Sequence, residues 1–231
     1  MSPSNLEILA YEPTPLGILC LRRRELLNKP GTVVTEVTLN HESLMSSYHT
    51  ASERALASVA LEMFSGQEIQ VLVGGLGLGY TASEVLTSNR VGQVEVVEFL
   101  HQVIEWLAQR LIPLADSLQS DSRLRVSQGD VYERLWHLPV KQFDLILIDV
   151  DHSPEEHLNG ANHLFYTEEG LQRARLHLEK DGVLGVWSYA ESSPFADALR
   201  NVFSEVHIKP VTYKNIHINE TLTDFLFFAR G

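Results

Sequence analysis

The spacing of hydrophobic and polar positions changes near residue 50. Before it, Leu6 to Tyr11, Gly17 to Arg22 and Val33 to Leu39 read as short strands, separated by turn signals at Pro13, Pro15 and the Pro30-Gly31 pair. From Ser52 to Met63 the apolar residues, among them Ala55, Val59, Leu61 and Met63, suit a helix. Short apolar runs then alternate with helical segments. The runs predict strands over Gln70 to Val73, Gln93 to Glu98, Leu124 to Val126, Phe143 to Asp149, Val183 to Trp187, Val206 to Lys209 and Asp224 to Phe228. Between them, helices are predicted over Thr81 to Leu86, Val103 to Leu111, Thr167 to Leu178 and Pro194 to Phe203. A fully apolar run such as Leu145-Ile146-Leu147-Ile148 belongs to a strand covered on both faces. The expectation is an α/β protein with a seven-stranded, mostly parallel sheet and a short N-terminal β appendage. Residues 1–50 would form the small β region and residues 51–231 the α/β domain.

Composition narrows the classes. No apolar run approaches the roughly 20 residues of a spanning helix, so no membrane is expected as a partner. Met1 to Leu6 lacks a basic segment followed by an apolar one, so a cytoplasmic location is expected rather than secretion. The single cysteine, Cys20, excludes an intramolecular disulfide and reads as a small apolar strand residue. A net charge of −12 repels a nucleic-acid backbone and suits a cationic substrate, without identifying one. The Arg22-Arg23-Arg24 run reads as a solvated strand edge.

The candidate chemistry begins after the first strand of the α/β region. In Val71-Leu72-Val73-Gly74-Gly75-Leu76-Gly77-Leu78-Gly79-Tyr80, Gly75, Gly77 and Gly79 allow a tight turn and close backbone approach to a ligand. The following helix start offers N–H groups to an anion, although such a turn also serves simply to pack a helix on a strand. Glu98 ends the next strand about 20 residues beyond the glycines, where an acid accepts both ribose hydroxyls. Asp130, followed by Val131, could accept from an adenine amino group, or it could cap a helix. A dinucleotide is disfavoured, because Tyr80 stands where that fingerprint needs glycine or alanine.

These motifs resemble the spermidine synthase family of polyamine aminopropyltransferases, which share the Rossmann-like fold of S-adenosylmethionine-dependent methyltransferases. The resemblance rests on Val71 to Gly79 with Ser83-Glu84-Val85-Leu86, on Val96-Val97-Glu98, on Gly129-Asp130 and on Phe143-Asp144-Leu145-Ile146. It continues through Phe165-Tyr166, Asp181-Gly182-Val183 and Ala190-Glu191-Ser192, with Tyr48-His49 and Thr212-Tyr213 at the two ends. The N-terminal β region looks shorter than the family's small domain. The resemblance implies transfer of an aminopropyl group from decarboxylated S-adenosylmethionine, or use of S-adenosylmethionine itself, with a small amine such as putrescine as acceptor. The donor is a co-substrate. No metal is expected, and a homodimer is allowed. Two departures mark a divergent branch: Leu78 replaces the family acid that holds the donor's ammonium, and Asp149-Val150-Asp151-His152-Ser153-Pro154 replaces Asp-Ser-Ser-Asp-Pro.

Group transfer from a sulfonium needs alignment and a base for the amine's proton. Asp149, Asp151 and His152 lie where that base belongs, with Asp149 also orienting the donor, although Asp151 to Pro154 could be only a capping turn. Tyr48, Trp187 and Tyr213 are candidates for an acceptor pocket, where rings stabilise a cationic amine, and equally for packing residues with a polar tip. A methyltransferase of unknown substrate and a non-catalytic nucleotide-binding protein are the rival readings.

Overall fold

The computed structural model describes residues 6–156, 162–215 and 220–231. Strands β1 (Leu6–Thr14), β2 (Gly17–Glu25), β3 (Val33–Leu39) and β4 (Glu42–Ser46) form an antiparallel sheet in that order. The fourth strand was not predicted. Its hairpin turns on Asn40 and His41, both at positive φ (51° and 72°), as a two-residue turn requires. Histidine lacks the usual sequence signature for that conformation.

The remaining chain runs α1 (Ala51–Met63), β5 (Ile69–Gly74), α2 (Tyr80–Leu86), β6 (Val91–Glu98), α3 (His101–Ala108), α4 (Ala115–Ser120), β7 (Leu124–Gln128), α5 (Val131–Trp136) and β8 (Phe143–Ile148). It ends with α6 (Glu168–Leu176), β9 (Leu178–Ser188), α7 (Ser193–Val202), β10 (Glu205–Asn215) and β11 (Glu220–Arg230). The expected α/β architecture is present, with a seven-stranded sheet ordered β10-β11-β9-β8-β5-β6-β7. Its five strands β9 to β7 are parallel, and β11 and β10 close the edge antiparallel. The helices α4 and α5 were missed, each being only about one and a half turns and so too short to show a period. Strand β9 begins at Leu178, earlier than the predicted Val183, and runs through Lys180-Asp181-Gly182 with Asp181 at φ 62°.

Strand alternation divides the core. Val71 and Val73 of β5 and Leu145 and Leu147 of β8 face one apolar cluster, while Leu72, Ile146 and Ile148 face the other. Both sides of the strands are therefore buried, which is why they read as unbroken apolar runs. The N-terminal sheet contributes Leu19, Leu21 and Val37 to the first cluster. It is also tied to α3, where the Trp106 indole donates to Glu12 at 3.2 Å. Because β5 pairs with β6 on one side and β8 on the other, the chain reverses its direction of travel across the sheet there, and a crevice opens at the carboxyl ends of these strands.

Candidate active site

The crevice has two joined compartments. The first is walled by Leu16, Val37 and Leu44 of the N-terminal sheet region, by Leu100 and Val103, and by Gly75, Gly77, Glu98, Asp130 and Val131. The second takes in His49, Glu53, Leu78, Gly79, His152, Trp187, Tyr189, Tyr213 and Asp224. Met45, Gly77, Asp149 and Val150 line both, so the compartments meet at the end of β8.

The glycine turn is shaped by contacts that exclude a side chain. Gly75 has φ +89°, and a Cβ there would fall 2.3 Å from the Asp149 carbonyl oxygen. A Cβ on Gly79, also at φ +89°, would meet the Leu118 side chain at 2.5 Å. The turn is fastened to β6 by Glu98, which is 7% exposed. Its carboxylate accepts from the backbone N–H groups of Leu76 and Leu100, each at 2.8 Å. Burial raises the Glu98 carboxyl above its ordinary pKa, and these N–H groups counter only part of that. Asp130 caps α5, with one carboxylate oxygen accepting from Tyr132 N at 2.8 Å and Glu133 N at 3.3 Å. The sequence-predicted set of Gly75, Gly77, Glu98, Asp130, Val131 and Asp149 is thus gathered around one compartment, while Gly79 lines the other.

The second compartment is acidic in a different way. Asp149 accepts from the Thr81 hydroxyl at 2.7 Å, and Asp224, 4% exposed, accepts from Ser52 Oγ at 2.6 Å. Ser52 also contacts Glu53 Oε2 at 3.1 Å, so one hydroxyl bridges two carboxyls. The Tyr213 hydroxyl reaches Asp224 at 3.4 Å. Among the described residues, none of the ion pairs involves Glu53, Asp149 or Asp224. Burial and then the charge of Asp149 push Glu53 up to about 8. Burial, with Asp224 nearby, pushes Asp149 up to about 6 despite the Thr81 bond. Asp224 is raised as well, chiefly by burial. Glu36 in the same wall shows the contrast. Burial pushes it up, but Arg24 and Arg22 outweigh burial and hold it below its ordinary value.

Glu53, Asp224, Ser52 and Thr81 were not among the site residues predicted from the sequence. An acid in the first turn of a helix has an ordinary explanation in the helix dipole, which concealed Glu53. Asp224 did carry a signal, as a charge at the head of the apolar run Phe225 to Phe228. Trp187 and Tyr213 line the second compartment, where the buried Trp187 indole N–H lies beside Asp224. Tyr48 does not line the crevice. Its hydroxyl is bonded by Lys29, and His49 enters the wall instead, its ring 4.9 Å from that of Tyr213. His152 is in the wall, edge-on to Tyr189. Asp151 contributes to the wall, but its carboxylate is 2% exposed and turned towards Tyr132, Tyr166 and Asn162. Leu78, where the resemblance implies an acid, is 3% exposed and packs into the core beneath the glycine turn. Among the described residues no group of three or more acids, histidines or cysteines is placed to hold a metal ion, and no helix is long and apolar enough to cross a membrane.

The sheet order, the glycine turn at the switch point and the strand-end acids define a Rossmann-like α/β protein of the methyltransferase type. A spermidine synthase in complex with the transition-state analogue AdoDATO shares the fold at a TM-score of 0.74 and 20% identity, over 96% of this chain and 73% of that one. The spermidine synthase of Thermotoga maritima gives 0.74 and 19%, over 96% and 72%. The family model for the spermine/spermidine synthase domain matches residues 49–210, and the chain belongs to that family. It is 29% identical over 152 residues to a polyamine aminopropyltransferase of Oceanobacillus iheyensis, covering 64% of this chain and 28% of the relative. To the enzyme of that name from Prochlorococcus marinus it is 26% identical over 156 residues, covering 68% and 51%. To polyamine aminopropyltransferase 2 of Streptomyces coelicolor it is 32% identical over 143 residues, covering 61% and 24%. The matched stretch thus spans between about a quarter and a half of these relatives' lengths.

Proposed function

We propose that this chain is an aminopropyltransferase that moves an aminopropyl group from decarboxylated S-adenosylmethionine to a small primary amine such as putrescine. The observation that carries the reading is the group of three carboxyls, Glu53, Asp149 and Asp224, in a ring-lined compartment with no ion-pairing partner among the described residues. Buried like charges are costly unless protonated or met by a cation, and a primary ammonium supplies one. The adjoining apolar compartment suits the adenosyl end. There Glu98 would accept from the ribose, and Asp130 has one carboxylate oxygen left over from its helix cap.

The donor's sulfonium supplies a carbon already activated towards attack. The amine must arrive neutral, so a carboxylate with a raised pKa is a better base than an ordinary one. Asp149, at about 6 and at the junction of the compartments, would take that proton, with Glu53 and Asp224 holding the amine. The amine's lone pair forms the new N–C bond as the C–S bond breaks, the electron pair going to sulfur and methylthioadenosine leaving. Trp187 and Tyr213 would flank the amine. The test is release of methylthioadenosine from decarboxylated donor with putrescine, spermidine and other amines, alongside calorimetric titration with both forms of the donor. Transfer to at least one amine is expected. Tight binding of S-adenosylmethionine with no transfer to any amine would replace this reading with a methyltransferase.

A further inference from the structure

Asp151 stands two residues after Asp149, yet the two carboxylates serve different surroundings. An extended strand would aim both the same way, but the chain bends at Asp151. Its Oδ2 accepts from the Tyr132 hydroxyl at 2.9 Å, the Tyr166 hydroxyl at 3.0 Å and Asn162 Nδ2 at 3.2 Å, and its Oδ1 accepts from Asn162 Nδ2 at 2.9 Å. The donors come from three places: α5, the single turn Asn162–Leu164, and the segment entering α6. Two of them, Tyr132 and Asn162, also line the first compartment. Burial, with the Asp151 carboxylate nearby, raises both tyrosines well above their ordinary value, so both remain protonated donors.

We propose that Asp151 is a positioning residue that holds Tyr132 and Asn162 in the wall of the nucleotide compartment, and not the proton acceptor that its place in the sequence suggests. This rests on the aminopropyltransferase reading above. A carboxylate with four short contacts from neutral donors has its lone pairs committed, and at 2% exposure it offers no approach to an amine. Its removal leaves two phenols and an amide without their common acceptor inside the protein, so the cost falls on the wall they form. The network joins the loop after β8 to the floor of the other compartment, which links the two halves of the crevice through one side chain.

The test is Asp151→Asn in the full chain, read by calorimetry with methylthioadenosine and by the pH dependence of kcat at saturating nucleotide. A positioning role predicts a dissociation constant roughly tenfold higher or more. It also predicts a KM for the donor that rises in step, and a pH profile of kcat unchanged in shape. Nucleotide affinity unchanged, with kcat down roughly a hundredfold and one limb of the profile lost, would make Asp151 the base and overturn the proposal. Should the variant not fold, Tyr132→Phe decides the matter. It removes one of the donors, so a weakened nucleotide affinity supports the proposal and an unchanged one overturns it. In a folded double variant the two changes should be less than additive. An unmodified protein that does not bind methylthioadenosine would sink the functional reading and this one with it. Tight binding unaffected by either variant would sink only this one.

Discussion

In the first compartment the buried carboxylate Glu98 is met by the backbone N–H groups of Leu76 and Leu100, whereas in the second the hydroxyl of Ser52 bridges Glu53 and Asp224. Burial is the largest cause of the raised pKa in both places. What differs is what opposes it. Oriented main-chain dipoles fixed by the glycine turn stabilise an anion at Glu98 and leave lone pairs that a neutral hydroxyl can use. Around Glu53 and Asp149 like charges add to burial, and the Ser52 and Thr81 hydroxyls counter only part of it, as Ser52 and Tyr213 do at Asp224. One half of the crevice is thus preset for neutral polar groups against an apolar wall, and the other is incomplete until a cation or protons arrive.

The largest expected effect comes at the point where the two halves meet. Asp149→Asn keeps size and the Thr81 contact but removes the proposed base, so turnover at saturating substrates should fall by roughly a hundredfold or more. Steady-state rates with a responsive amine measure it. An unimpaired variant would move the base to Glu53 and make the junction a passive wall.

A smaller effect is expected in the first compartment. Glu98→Ala removes the acceptor for the glycine turn and the proposed acceptor for the ribose, and hydrogen bonds to a charged group are worth roughly 1.5 to 3 kcal/mol. Affinity for methylthioadenosine, followed by calorimetry, should therefore drop by about ten- to a hundredfold, while the circular dichroism spectrum is retained. Unchanged affinity would remove Glu98 from the nucleotide site and leave it only a fastener of the turn.

The smallest effect sharpens the comparison through pH. Glu53 has a folded pKa of about 8 against an ordinary value of 4.5, so the folded state holds the extra proton between these limits. Stability from that proton is complete below about 4.5 and is lost as pH rises through 8. Asp149 acts in the same direction between 3.8 and about 6. The Tm of the unliganded protein should fall from pH 5 to pH 8, and Glu53→Gln should flatten the upper part of that fall. Added putrescine should raise Tm more at pH 8 than at pH 6, because only the ionised cluster attracts it. A Tm that rises over this range in the unmodified protein, or a slope unaltered by Glu53→Gln, would show that the cluster is compensated in solution.

The sequence by itself determined the α/β class, the strand cores and most of the residues gathered around the first compartment. Unbroken runs such as Leu145 to Ile148 can lie only where both faces of a sheet are covered, and glycines between a buried strand and a helix mark the turn at its end. Glu98 and Asp130 were legible because each follows directly from the end of its own strand, a local relation. The acidic compartment was decided by tertiary structure alone. Glu53 begins α1, Asp149 ends β8 and Asp224 lies in β11, so their repulsion exists only after the sheet has brought distant segments together. Asp151 shows the same limit from the other side. Its spacing from Asp149 suggested a shared task, but a bend in the loop turned it to Tyr132, Tyr166 and Asn162, partners that no local pattern announces. Local spacing fixes which way a strand faces, whereas the charge environment of a side chain is set by whatever the fold packs against it.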